Sequence, residues 1–222
     1  MAREALFSCS DHPTACAAAE WLGRHPAYAL LAAGALIASL FLAGLLLSVR
    51  GDRRARARFD AFVHASGGTS GREGEPVGEL VVSGRPARVS TFRTGTKTTF
   101  PWTRYAIEIA DPSFEMEIRD RRALATAGSF VDLGDPAFDE NFLVSTNDEP
   151  RTRRIMTASV RRLVCEAGEI ARVVRSPFSL RVHQGRVIFE APGKFDGGDF
   201  DRRFRLALQA GAAIADGLGR SG

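Results

Sequence analysis

Residues 27–49 read AYALLAAGALIASLFLAGLLLSV, a run of 23 residues that begins at Ala27, ends at Val49 and holds no charged side chain. An α-helix rises about 1.5 Å per residue, so roughly 20 apolar residues cross the hydrocarbon core of a bilayer. Five arginines follow within nine positions, namely Arg50, Arg53, Arg54, Arg56 and Arg58. The run predicts a single transmembrane helix with a basic collar, and the chain beyond it is expected to be a domain tethered to the lipid bilayer.

The charges on the two sides of this helix differ. Residues 1–26 carry two basic and three acidic side chains, whereas the far side opens with the five arginines. Basic flanks stay on the cytoplasmic side of single-pass proteins, so we expect residues 1–26 to form an external tail and the C-terminal domain to be cytoplasmic. A cleaved signal peptide is the rival interpretation. The run is long and ends in Ser48-Val49-Arg50 rather than in a small-x-small cleavage site, so a retained signal anchor is favoured.

The net charge of +4 is carried mostly by the anchor region. Residues 1–58 hold seven basic and four acidic side chains, which leaves 23 basic against 22 acidic in residues 59–222. Domains that bind nucleic acid usually gather Lys and Arg on one face, so we expect no nucleic-acid partner. The chain of 222 residues leaves room for one soluble domain of common size after the collar.

A helical neck and a linker are predicted after the collar. Phe59, Phe62 and Val63 recur at i, i+3, i+4, so residues 50–66 are expected to continue as an amphipathic helix. The neck arginines have two interpretations, a site for anionic lipid or the topology signal of a single-pass protein, and the topology signal is favoured. Residues 67–78, GGTSGREGEPVG, have the composition of a flexible linker, which places the soluble domain at residues 79–218.

The first half of the domain reads as strands. Alternating apolar and polar side chains predict strands at residues 79–83, 86–92, 102–110 and 114–118. The turns between them are short at residues 83–84 and 111–113, so neighbouring strands are expected to be antiparallel. Outward positions indicate one solvated face, and they are assigned to Thr103, Glu108, Glu115 and Glu117.

The second half mixes helices with a hairpin. A short strand is predicted around residues 130–131, followed by a helical turn capped by Asp135 and a strand at 142–144. A helix then runs from the cap Asp148 to Gly168, and a strand or irregular segment is predicted at 169–175. The last elements are a hairpin of residues 178–182 and 186–190 and a helix capped by Asp199 or Asp201 that reaches Leu218. Strands followed by helix, hairpin and helix predict an α+β fold, with one antiparallel sheet covered by two main helices.

A family resemblance is carried by residues 133–144, LGDPAFDENFLV, with Asp148 and a helix containing Ile155-Met156-Thr157 after them. This segment resembles a bacterial family of membrane-anchored proteins of unknown function. In that family an F(D/N)xxFxV motif, a short acidic gap and a helix opening with a leucine- or methionine-threonine pair precede a strand–Gly–strand hairpin, whose place residues 179–190 take here. The resemblance spans roughly residues 77–218 and implies a membrane-tethered α/β module, without an assigned activity. The membrane expected for this chain is the bacterial inner membrane.

Three polar segments share features with ligand sites. Residues 94–99, TGTKTT, place Lys97 beside a glycine but lack the spacing and the strand-to-helix context of a phosphate loop, so a hairpin loop is favoured. Carboxylates gather at Asp132, Asp135, Asp139 and Glu140, as a divalent cation or an acid–base pair requires, yet capping and turn roles explain them. The aspartates around Gly197 lack the spacing and the glutamate of an EF-hand, so a helix cap is favoured there too.

Histidine and cysteine show no catalytic spacing. The four histidines lie in different segments without an H-x-x-x-H pattern, and His183 is expected to face solvent beside a hairpin turn. Cys165 is expected to be a small buried apolar residue, and whether Cys9 and Cys16 pair is left open. We therefore predict no catalytic residue, no metal ligand and no cofactor.

Three function classes stay open. The favoured one is a non-enzymatic membrane protein whose cytoplasmic domain binds a protein partner or scaffolds an assembly. The alternative is a membrane-tethered enzyme or small-ligand sensor with a site built from Asp132, Asp139, His183 and Lys97. The third is a structural protein that self-associates through its span. A deep polar pocket joining those four side chains would favour the second class, and an exposed apolar patch the first.

Overall fold

The computed structural model describes residues 26–71, 75–94, 100–123, 129–173, 178–195 and 197–219. Its first element is helix α1, Pro26–Ala65. This helix contains a segment long and apolar enough to cross a membrane, and none of that segment is buried within the protein. The chain divides into two compact units, Met1–Asp52 and Arg53–Gly222, so the last residues of α1 belong to the second unit. Cys9 and Cys16 lie outside the described residues.

The end of α1 packs into the core of the second unit. Phe59, Phe62 and Val63 are buried, and their spacing puts them on one face of the helix. The ring of Phe195 lies 4.8 Å from that of Phe62 and 5.6 Å from that of Phe59. The predicted neck is thus part of the folded domain, whose compact unit begins at Arg53 rather than at residue 79.

Residues 67–78, predicted as a linker, contain strand β1, Thr69–Ser70, which pairs with the following strand. The Gly68 amide donates to the Val63 carbonyl oxygen over 2.9 Å and closes the turn after α1. A Cβ on Gly68 would overlap the Glu79 carbonyl oxygen. Close approach of two backbones therefore requires glycine at this position.

The described residues form one sheet of eight strands. After β1 come β2 Val77–Val82, β3 Arg85–Thr94, β4 Phe100–Glu108, β5 Met116–Asp120, β6 Phe142–Thr146, β7 Ser179–His183 and β8 Arg186–Pro192. Their order is β1-β2-β3-β4-β8-β7-β5-β6, and every neighbouring pair is antiparallel. The segment around Phe130 is not a strand, although the Val131 amide donates to the Val144 carbonyl oxygen over 2.8 Å.

Four further helices occur in the described part of the domain: α2 Pro136–Asp139, α3 Glu149–Ile155, α4 Ala158–Val173 and α5 Asp199–Gly219. Asp135 and Asp148 cap α2 and α3 as predicted. The Asp135 carboxylate accepts the Phe138 amide at 3.3 Å, and the Asp148 carboxylate accepts the Arg151 amide at 3.0 Å. A 3-10 turn, Arg121–Ala123, follows β5.

The helix predicted from Asp148 to Gly168 is broken into α3 and α4. Met156 leaves the helical conformation with ψ 58° and ends α3. The Thr157 hydroxyl then accepts the Val160 amide at 3.4 Å, which starts α4. Because an apolar stripe continues across the break, the hydrophobic pattern alone predicts one helix.

Gly168 does not end α4, which continues to Val173. The strand or irregular segment expected at 169–175 is therefore wrong for residues 169–173. A Cβ on Gly168 would overlap the Phe142 ring, so this glycine permits close packing of α4 on the sheet.

Helices α4 and α5 pack on one face of the sheet. Phe204 of α5 meets the rings of Tyr105 and Phe189 edge-on at 5.6 and 5.7 Å, and the Tyr105 hydroxyl donates to the Ala207 carbonyl oxygen. A continuous series of ring contacts joins α1 to α2 through Phe59, Phe195, Phe204, Phe189, Phe178, Phe142 and Phe138. The predicted α+β class is confirmed, with α2, α3 and the end of α1 added to the two main helices.

One side chain predicted to point outward lies on the covered face. Thr103 is fully buried, and its hydroxyl donates to the Gly193 carbonyl oxygen over 2.9 Å. Thr103 has the same parity along β4 as the buried Tyr105 and Ile107, so the period of two places it with them.

Candidate functional site

The opposite face of the sheet carries no helix among the described elements. Tyr105 opposes Val89 and Phe189 on the covered face, so the residues beside it, Arg104 and Ala106, point away from α4 and α5. We call these outward side chains of β2 to β8 the open face. Its members include Glu79, Val81, Pro86, Arg88, Phe92, Trp102, Arg104, Ala106, Glu108, Glu117, Arg119, Arg181, His183, Arg186, Ile188 and Glu190.

A groove of about 660 Å³ crosses β2, β3 and β4 on the open face. Val81, Pro86 and Ala106 supply apolar surface to it. Val81 is 63% exposed, the largest value for a big apolar side chain among the described residues of the second unit. The charged lining comes in directly opposed pairs, Glu79 with Arg88 and Glu108 with Arg186. The groove has the size of a binding cleft and an apolar floor between charged rims.

An aromatic pair lies on the same face toward the other end of β3 and β4. Phe92 and Trp102 are directly opposed, and both are half-buried. The Arg104 guanidinium carbon lies 4.9 Å from the centre of the Phe92 ring. Tryptophan and arginine are the side chains that most often dominate the energy of protein interfaces.

Several charges of the open face are paired. Across strands, Glu190 pairs with Arg104 and, at 3.2 Å, with Arg181, and within β5 Glu117 pairs with Arg119. Cross-strand pairs contribute about 0.2–1 kcal/mol each. Because both signs are interspersed, the face creates no strong field for a highly charged partner. Shape and apolar contact are therefore the properties that it offers.

A second groove of about 450 Å³ lies over β5, β6 and β7. His183 Nδ1 is 3.0 Å from Glu115 Oε1 at its edge, and both side chains are about half exposed. The groove is thus open to solvent and lined in part by side chains that already pair with one another.

The carboxylates of the 132–140 segment hold their own loop together. Asp139 accepts the amides of Leu133 and Asp135 at 3.2 and 2.8 Å, and Asp132 accepts the Gly134 amide at 2.7 Å. That hydrogen bond lowers the pKa of Asp132. Within the described ranges, no group of three His, Cys, Asp or Glu side chains is placed to hold a metal ion.

Asp135 also forms an ion pair with Arg161, whose Nε lies 2.7 Å from its carboxylate. The Arg161 guanidinium is the main cause that lowers the pKa of Asp135. Arg161 donates as well to the Met156 carbonyl oxygen over 2.6 Å. Asp135 therefore joins α2 to the junction between α3 and α4.

Of the described side chains named for an enzymatic site, the two aspartates lie together and His183 lies apart from them. Asp132 and Asp139 line a cleft of about 110 Å³ beside Phe130, whereas His183 lies in the groove over β5 to β7. Lys97 lies outside the described residues.

Arg203 and Tyr105 are among the polar side chains buried in the core. Arg203 of α5 is 1% exposed, with its guanidinium carbon 5.6 Å from the centre of the Phe189 ring, and burial lowers its pKa to about 10. Burial also raises the pKa of Tyr105. Both lie away from the grooves of the open face, and sequence reasoning did not single out either of them.

Only part of the open face could be predicted from the sequence. Alternation along β4 marks Glu108 as outward, but it does not say that Val81 and Ala106 border one groove. That depends on the pairing of β2 with β3 and of β3 with β4.

Comparisons with known proteins add little to this geometry. No family model matches the chain, and no curated protein matches it. One solved structure, the mycobacterial trehalose monomycolate transport factor A, is similar with a TM-score of 0.49 and 11% sequence identity, over 75% of this chain and 95% of that one. So distant a likeness carries no inference about function.

Proposed function

We propose that this chain is a single-pass protein of the bacterial inner membrane whose cytoplasmic α+β domain binds a segment of a protein partner on the open face and so holds it at the membrane. The observation that carries the proposal is an eight-stranded sheet whose described helices α4 and α5 pack on one face, with a groove of about 660 Å³ on the other.

The chemistry of the open face describes the partner segment. One apolar side chain of the partner would lie on Val81, Pro86 and Ala106, and a second on Phe92 and Trp102. Along β4 the two positions are separated by four residues, which is about 13 Å at the rise of a strand. Polar residues of both signs would flank each anchor, because the rims of the groove carry Glu and Arg in opposed pairs.

The membrane location rests on α1. Its apolar segment is long enough to span a bilayer, and it is followed rather than preceded by the cluster of arginines. These features support an anchored chain with the open face in the cytoplasm.

Site-specific photocrosslinking tests the proposal in native membranes. A photoreactive amino acid in place of Val81 is expected to yield one dominant crosslinked protein, while the same amino acid in place of the exposed Arg154 on α3 yields none. With that protein purified, Val81→Asp or Trp102→Ala in the full chain should weaken binding by roughly tenfold or more, since interface anchors are worth about 2 kcal/mol or above. The proposal fails if both positions give the same products or if the two substitutions leave affinity unchanged.

A further inference from the structure

Two segments account for the net positive charge of the chain. Residues 53–60 and 194–205 together carry eight basic and four acidic side chains, which leaves 22 of each sign in the rest of the chain. The excess of positive charge is therefore local rather than spread over the protein.

The two segments form one surface. A Cβ on Gly197 would overlap the Arg58 guanidinium, so the loop before α5 lies directly against the last turns of α1. The Arg205 guanidinium carbon lies 5.9 Å from the centre of the Phe62 ring, which binds α5 to the same turns. We call the exposed arginines at this junction the basic corner, and they are Arg54, Arg58, Arg202 and Arg205.

Within the part of the chain that the structure describes, the arginines of the basic corner differ from others in having no ion pair. None of its four arginines makes an ion pair with another described residue, whereas Arg104, Arg151 and Arg161 are each paired with a carboxylate. Arg202 and Arg205 also line a shallow groove of about 370 Å³ that extends to Gln209 and includes one carboxylate, that of Asp201. With two guanidinium groups against one carboxylate, the groove favours an anionic group as its ligand.

The chain keeps the folded unit close to the predicted span. Only residues 50–52 lie between Val49 and Arg53, where the second compact unit begins. An extended chain advances at most about 3.6 Å per residue, so Arg53 lies within about 14 Å of the end of the span in any conformation. In an anchored chain, the first residue of the folded unit is therefore within reach of lipid headgroups.

We propose that the basic corner binds the headgroups of anionic phospholipids and fixes the orientation of the domain on the bilayer. This inference rests on the membrane anchoring proposed above and adds a specific surface to it. Basic side chains near an anionic leaflet are worth about 1 kcal/mol each, or roughly fivefold in association. Removing two arginines should thus weaken headgroup contact by about 25-fold.

Hydrogen exchange of the full chain in lipid nanodiscs tests the basic corner. We expect amides of residues 197–209 to exchange at least fivefold more slowly in discs containing phosphatidylglycerol than in discs of phosphatidylcholine alone, and the difference should vanish at high salt. R202Q/R205Q should abolish the difference, and R54Q/R58Q should reduce it independently. The matched control is R153Q/R154Q on α3, which should retain it, and an unchanged melting temperature shows that each variant folds.

The outcomes separate the basic corner from the anchor. If the chain co-elutes with the discs but exchanges equally in both lipids, the proposal that the basic corner binds headgroups is wrong. The same holds if the difference in exchange survives R202Q/R205Q. If the chain does not co-elute with the discs, both the proposed membrane anchoring and the proposed headgroup binding are wrong.

Discussion

At the scale of single residues, Gly211 shows how closely α5 packs on the sheet. A Cβ at this position would overlap the Tyr105 hydroxyl, which donates to the Ala207 carbonyl oxygen. Gly211→Ala is therefore expected to lower the free energy of unfolding by about 1–3 kcal/mol, the usual cost of overpacking a core. Urea unfolding of the full chain in detergent, followed by circular dichroism, measures the change.

The matched control for that substitution is Gly217 of the same helix. A Cβ there would meet Ile155 at 3.4 Å, which is ordinary van der Waals contact. Gly217→Ala should be neutral or raise stability by about 0.5–1 kcal/mol through helix propensity. Equal destabilisation by the two substitutions would contradict a specific contact with Tyr105.

The ion pair of Asp135 with Arg161 makes the stability of the domain depend on pH, and the direction of that dependence is defined. The Arg161 guanidinium lowers its pKa in the folded state, so its contribution to stability is complete above the ordinary aspartate pKa near 4 and is lost as the pH falls through the lowered value. Asp135→Asn should reduce stability at pH 7 and make the unfolding free energy less sensitive to pH between about 5 and 2. Unfolding curves at a series of pH values measure both effects.

Arg161→Gln provides the test of coupling. It should reproduce most of the effect of Asp135→Asn, and the double substitution should cost less than the sum of the two single ones, because both remove the same ion pair. Additive effects would show that the capping of α2, rather than the pair, provides the stability.

At the scale of elements, the end of α1 acts as a core helix of the domain. The Phe62 ring lies 4.8 Å from Phe195 and 5.8 Å from Phe204. Phe62→Ala should therefore destabilise the domain by about 3–5 kcal/mol, as expected for a large aromatic removed from a core. His64→Ala, an exposed position two residues on, should leave the unfolding free energy nearly unchanged. If Phe62→Ala were as mild as His64→Ala, the last turns of α1 would be a tether only.

The same elements show what the sequence could predict. The strands and the β7–β8 hairpin were readable because a period of two and a Gln184-Gly185 turn are local signals. The passage of α4 through Gly168 was not, because it depends on a contact distant in sequence, that with the Phe142 ring. The break at Met156 was not either, because the apolar stripe continues across it.

The candidate site was likewise predictable only where the signal lies within one strand. Outward charges such as Glu108 were predictable from alternation along one strand. The groove beside Val81, the aromatic pair at Trp102 and the basic corner at Arg58 each join segments separated in the chain. Sequence composition also made residues 67–78 look like a linker, although glycine at Gly68 permits two backbones to meet.

At the scale of the whole molecule, orientation decides which partners the open face and the basic corner can meet. We expect a fluorescent reporter that folds only in the cytoplasm to be active when fused after Gly222, and a reporter active only outside to be silent there. The physical reason is the five arginines after Val49, against two basic residues in the first 26. Equal activity of the two reporters would show a mixed population.

Moving positive charge from one side of the membrane helix to the other tests this orientation directly. Glu4→Arg and Glu20→Arg, combined with Arg50→Gln and Arg53→Gln, raise the basic residues before the helix from two to four and reduce those after it from five to three. A substantial fraction of the chain should then insert in the opposite orientation, while R153Q/R154Q, far along the chain from the span, should leave orientation unchanged. If the recharged variant kept the original orientation, the arginines after Val49 would not act as its topology signal.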